Sequence, residues 1–149
     1  MSVEVAILLA NAAAAWLMCG VIWLVQLVHY PLFARYARDE FRAAMAEHQA
    51  FTGRVLAPPM LIELVTSLLL LVIRPDAVPL WAACVGAALA GVWGFSTVLV
   101  QIPLHNRLAA GGFDATLHRR LVRSNWIRTA AWSLRAALCG WMVSLTGGG

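Results

Sequence analysis

The chain has 149 residues, 62% of them hydrophobic and 12% charged, with a mean hydropathy of +0.78. Soluble domains are roughly 45–50% apolar and about 25% charged, so a soluble globule is excluded, and disorder, which needs low hydrophobicity and high charge, goes with it. All eleven basic residues are arginine and the net charge is +4, but the arginines lie in short segments between apolar runs, as in cytoplasmic membrane loops and unlike a nucleic-acid surface.

The first apolar run, 5–32, carries no charge. It is longer than the roughly 20 residues that cross a bilayer as a helix. It has no basic start and is too long for the apolar core of a signal peptide, which predicts a retained span. Its strong polar groups are Asn11, Gln26 and His29. Gln26 and His29 are three apart, a spacing that predicts one shared face near the cytoplasmic end. Pro31 is the predicted stop.

Between runs one and two, Phe41, Ala44, Met45, His48, Phe51 and Val55 recur at three- and four-residue intervals. This predicts an amphipathic helix in the first cytoplasmic loop, with His48 on its apolar stripe. The second span, 55–73, is opened by Pro58 and Pro59 and contains Glu63, the only acid in any apolar run. Pro75 and Pro79 bracket a short turn. The third span, 78–104, is uncharged and ends at Pro103, with Thr97, Gln101 and His105 one turn apart. Ala82, Gly86, Ala90 and Gly94 recur every fourth residue, a pattern that lets helix backbones approach. That packing is read as internal, with a homo-oligomer contact as the alternative. The fourth span, 125–145, carries Asn125, Arg128, Trp132 and Arg135 along one side.

The predicted fold is therefore all-α: one domain over 1–149, an up-down bundle of four transmembrane helices. No internal repeat is evident. Arg35, Arg38, Arg42 and Arg54 lie between spans one and two, and Arg107, Arg119, Arg120 and Arg123 between three and four, against Arg74 alone on the other side. That asymmetry predicts both long loops in the cytoplasm, both termini outside, and residence in the inner (plasma) membrane. Cys19, Cys84 and Cys139 fall in three different runs without CxxC spacing and read as packing residues.

All four spans place polar groups in the cytoplasmic half. Glu63 predicts a partner in Arg135 or Arg128, because an intramembrane charge normally faces the bundle and pairs. The layer has two readings, a structural network or a site. As a site, His29, His48, Glu63 and His105 are donors suited to a transition metal. Two facing histidines could ligate a haem. Without any cofactor, a histidine could remove a substrate proton while Arg128 stabilises the anion.

The stretches His29-Tyr30-Pro31, Ile102-Pro103-Leu104-His105-Asn106-Arg107-Leu108 and Asn125-Trp126-Ile127-Arg128-Thr129 resemble the anthrone-oxygenase-like family of small four-helix membrane proteins. In that family a His-Pro pair closes helix one, a Pro-Leu-Asn run follows helix three, and a Trp/Asn…Arg-Thr run opens helix four. Tyr30 inside the pair, and His105 where Asn is usual, are departures. A few members oxidise polycyclic phenolic anthrones with dioxygen and no bound cofactor. The resemblance implies roles for His29, Asn106, Asn125 and Arg128. The expected function is an oxygenase-like oxidoreductase acting on a lipophilic small molecule, with His29, His105, Asn125, Arg128 and Glu63 as its catalytic set. The alternatives are a metal- or haem-binding membrane protein and a non-catalytic structural subunit.

Overall fold

A computed structural model describes residues 1–36 and 39–147. Arg38, one of the loop arginines, and 148–149 of the glycine tail lie outside the described residues. Among the described residues there are helices and turns but no strand. Four long helices carry the fold: α1 Val3–Phe33, α2 Phe41–Leu69, α3 Leu80–Gly111 and α4 Ala115–Ser144. Each packs against two others, α1 on α2 and α4, and α3 on α4 and α2.

The helix ends differ from the sequence expectation, and the prolines explain most of it. Pro31 and Pro103 do not stop their helices. A proline in an unbroken α-helix drives its ring into the carbonyl four residues back. Here the preceding turn widens into a π turn, Val25–His29 in α1 and Thr97–Gln101 in α3. The Tyr30 N–H then donates to the Val25 carbonyl, and the Ile102 N–H to that of Thr97. Both prolines sit in similar short stretches, Leu27-Val28-His29-Tyr30-Pro31-Leu32 and Leu99-Val100-Gln101-Ile102-Pro103-Leu104, which share Leu, Val, Pro and Leu at matching positions.

Nor do Pro58 and Pro59 open α2. The amphipathic segment and the second apolar run form one continuous helix through both prolines. Its inward stripe is Phe41, Met45, His48, Thr52 and Leu56, while Phe51 and Val55, expected inside, are exposed. The fourth helix starts ten residues before the expected Asn125, because the Asp114 carboxylate caps it. Its Oδ1 accepts the Thr116 and Leu117 N–H groups at 2.7 and 2.8 Å, the arrangement that satisfies first-turn donors. Those two bonds hold the carboxyl below the ordinary aspartate range.

Helices α1, α2 and α3 are each long and apolar enough to cross a membrane. Helix α4 falls short of that composition because Arg119, Arg120, Arg123, Arg128 and Arg135 lie along it. The chain's polarity is inverted relative to a soluble protein. Trp16, Leu24, Leu61, Leu68, Phe95 and Leu99 are exposed, whereas Asn11, Gln26, Glu63, Gln101, Asn125 and Arg135 are buried. This is the pattern of a membrane protein, whose outer surface meets hydrocarbon.

The small-residue stripe of α3 faces α4. Ala82 and Ala83 pack with Cys139 and Met142 at one end of the core, and Ala90 and Trp93 with Ala131 and Trp132 in the middle. The third part of the core, around Tyr30, Phe33, Phe41, Met45, Leu104, Leu108 and Leu121, closes the histidine end. All three cysteines are free thiols.

Candidate functional site

The buried polar groups separate into two assemblies. The inner one is built around Glu63, which is wholly buried. Its Oε1 accepts Arg135 Nε at 2.5 Å and Trp93 Nε1 at 3.2 Å, and its Oε2 accepts Trp132 Nε1 at 2.8 Å. Arg135 Nη1 donates to the Gly86 carbonyl, and Nη2 to Asn11 Oδ1 and Ser67 Oγ at 3.0 and 2.8 Å. Asn11 Nδ2 in turn reaches Thr66 Oγ1 and Ser67 Oγ. Of the two partners expected for Glu63, Arg135 is the one it has. Every Arg135 nitrogen is used, and one network ties all four helices. Trp93 and Trp132, stacked with centroids 5.0 Å apart, were not foreseen as partners of Glu63. Indole N–H groups must find acceptors when buried, which is the only sequence signal that pointed to them.

The second assembly lies at the other end of the same helices, around a cleft of about 900 Å³. Its walls are apolar, with Met18, Ile22, Leu56, Met60 and Trp93 among them, and its polar end carries Tyr30, His48, Gln101, His105 and Arg128. His105 is about one turn beyond Gln101 and its Nδ1 sits 2.8 Å from the Gln101 carbonyl. A carbonyl only accepts, so Nδ1 holds the proton and the Nε2 lone pair of a neutral ring is free. His29 Nε2 and His48 Nδ1 are hydrogen-bonded at 2.8 Å, and Thr52 Oγ1 is 3.0 Å from the same His48 nitrogen. The His48 and His105 rings stack with centroids 5.6 Å apart.

The π turn in α1 separates two residues expected to share a face. It spreads Gln26 and His29 further around the helix than an α turn would. Gln26 turns to α4, donating to the Val122 carbonyl and accepting from Asn125 Nδ2 at 2.8 Å, while His29 turns to His48 on α2. Asn125 is fully buried and its Oδ1 accepts Arg128 Nη1 at 3.3 Å, so it orients the arginine and does not itself line the cleft. Asn106 does not line the cleft but accepts from Gln49, which does, at 2.9 Å, tying α3 to α2. His118 is a cap: its Nε2 meets the Tyr30 carbonyl, left free at the end of α1, at 2.8 Å.

Of the expected metal set, His29, His48 and His105 are gathered but Glu63 is not, since Trp93, Trp132 and Arg135 occupy its carboxylate. Among the described residues no group of three or more His, Cys, Asp or Glu side chains is arranged to hold a metal ion. What the polar end can supply is imidazole as proton acceptor beside a fixed cation, in an apolar enclosure. Comparison of the chain with protein-family models, with curated proteins and with solved structures finds no match in any of the three.

Proposed function

We propose that the chain is a single-domain inner-membrane protein that crosses the bilayer four times, with both termini outside and the histidine end at the cytoplasmic face. The arginine asymmetry of the loops supports the orientation, and the complete pairing of Arg135 supports α4 as the fourth span, since an intramembrane charge is tolerated when paired inside a bundle. Within it we read the cleft as the site of an oxygenase-like oxidoreductase for a lipophilic small molecule.

The observation that carries this reading is the cleft itself: apolar walls leading to His48, His105 and Arg128. Its volume falls within the roughly 300–1,000 Å³ of small-molecule sites. His105 Nε2 is the base that takes a proton from an activated carbon of the substrate, with Arg128 stabilising negative charge beside it. Dioxygen is the oxidant: an activated CH₂ and O₂ give a carbonyl and water. The proton taken from carbon ends in the water formed, so the hydrogen-bonded pair His29–His48 serves as a temporary store beside His105 that returns it to the departing oxygen. A structural-subunit reading draws on the Glu63–Arg135 network, which needs no ligand, but it leaves the cleft without a purpose.

Dioxygen uptake by purified protein, with anthrone as the probe substrate, tests the proposal. Uptake above the uncatalysed rate is expected, and His29→Gln and His105→Gln should abolish it while keeping helicity and expression, because glutamine can replace an imidazole hydrogen bond but not its titration near neutrality. No uptake by the wild type, or full activity in both variants, would reject the enzyme reading.

A further inference from the structure

Arg128 and Arg135 lie on the same helix, two turns apart, and both are at least nine-tenths buried. Arg135 has a carboxylate and a partner for every nitrogen. Arg128 has neither. Its Nη1 donates to the neutral Asn125 Oδ1, the neutral Tyr30 hydroxyl lies within hydrogen-bond reach, its guanidinium carbon lies 5.1 Å from the Trp132 ring centroid, and its Nε has no hydrogen-bond partner among the described residues. Among the described residues the only acid in the core is Glu63, and it is taken by Arg135. No aspartate or glutamate lines the cleft, whose charged residues are Arg54 and Arg128.

A buried guanidinium without a counter-charge is unfavourable, and such groups normally pair. Retaining one at the end of an apolar cleft is explained if the missing charge arrives with a ligand. Nε and the neighbouring Nη2 form the edge of a guanidinium that takes the two oxygens of a carboxylate in a fork. A single inner cation calls for a single negative charge. The ligand's apolar body is dictated by the rest of the cleft. Leu61, Leu64 and Ile102, which line it, are also exposed, so the opening between α2 and α3 has an apolar rim facing lipid.

We propose that the cleft binds an amphiphilic monocarboxylate from the bilayer, with its carboxylate on the free edge of Arg128 and its apolar body between α2 and α3. This deepens the small-molecule reading above by naming the charge and shape of what is bound, and it requires binding only, not turnover.

The test uses the full chain in a neutral detergent, with dodecanoate as probe and dodecanol and acetate as its uncharged and tail-less counterparts. Calorimetry should show saturable binding of dodecanoate, at least tenfold tighter than either counterpart, and dodecanoate should raise the melting temperature. Arg128→Met removes the charge and keeps the length. It should melt at or above the wild-type temperature and bind dodecanoate at least tenfold more weakly. Equal binding of dodecanol, or unchanged dodecanoate binding by Arg128→Met, would overturn the proposal. So would failure of Arg128→Met to fold, since that would mean the charge is already compensated. Displacement of dodecanoate by equimolar phosphatidylglycerol would overturn the carboxylate assignment in favour of a lipid phosphate. Dodecanoate binding without oxygen uptake on any probe would refute the oxidoreductase reading and leave this one standing.

Discussion

Glu63→Gln is the most incisive perturbation of the inner network. The substitution keeps the volume but removes the charge facing Arg135, 2.5 Å away in a site with no solvent exposure at either side chain beyond 1%. Leaving one member of a buried ion pair alone costs about 3–5 kcal/mol. The amide adds a second loss. Its NH₂ must replace one carboxylate oxygen, and both oxygens accept indole N–H groups, from Trp93 and from Trp132. One donor then faces another, and an unsatisfied buried donor costs about 1–3 kcal/mol. The expected destabilisation is therefore at the upper end of the first range. At about 1.4 kcal/mol per tenfold, that is roughly three powers of ten in the folding equilibrium. Unfolding in mixed dodecylmaltoside–dodecylsulfate micelles, followed by helical circular dichroism, measures it. Arg135→Gln should be similarly damaging, and the double variant should lose less than the sum, with a coupling of about 2–3 kcal/mol, near the top of the range for residues in direct contact. Additive losses would refute the reasoning, because they would mean that the carboxylate and guanidinium stabilise the protein independently.

Two further outcomes follow from the geometry of α3 and of the α4 cap. A Cβ at Gly86 would lie 3.3 Å from Arg135 Nη1, whose guanidinium is held in place by Glu63, Asn11 and Ser67, so Gly86→Ala should destabilise by about 1–3 kcal/mol. Gly94 has nothing within 4 Å of the same position, and Gly94→Ala should stabilise by about 0.5–1 kcal/mol through helix propensity; the same micelle titration separates the two. The Asp114 carboxyl is held below its ordinary range by the Leu117 and Thr116 N–H groups. Its contribution is thus full above the unfolded aspartate value and lost as pH falls through the lower folded one. Unfolding measured across the acid range should show that loss in the wild type and a smaller slope in Asp114→Asn, which keeps a neutral acceptor.

Much of this was legible before any coordinates. The apolar runs locate the helices, and a lone acid among intramembrane arginines announces its own pairing. The choice of Arg135 over Arg128 was not legible, because it depends on how α2 and α4 are rotated against each other. The start of α4 is set by the Asp114 cap, whereas the ends of α1 and α3 were misread for a different reason. A proline forbids an α-helical bond but not a helix, and sequence patterns carry no sign that a π turn will absorb the strain. The same turn moved His29 away from Gln26 and onto His48, so three residues expected in one layer became a histidine pair and a separate Gln26–Asn125 contact. Asn106 was chosen by resemblance alone, and Asn125 both by resemblance and as part of the polar side of the fourth span. Of these, Asn125 bears on the cleft through Arg128, while Asn106 ties α3 to α2.

The π turns before Pro31 and Pro103 also bear on the two flanks of the bundle, because each re-aims the end of its helix towards one of them. In this protein the flank between α1 and α4 is sealed by the Gln26–Asn125 bond and the edge-on Trp23–Trp126 contact, and the flank between α2 and α3 holds the cleft. One seam thus serves as scaffold while the other stays open, so the bundle can hold a ligand on one side without loosening the side that keeps its helices in register.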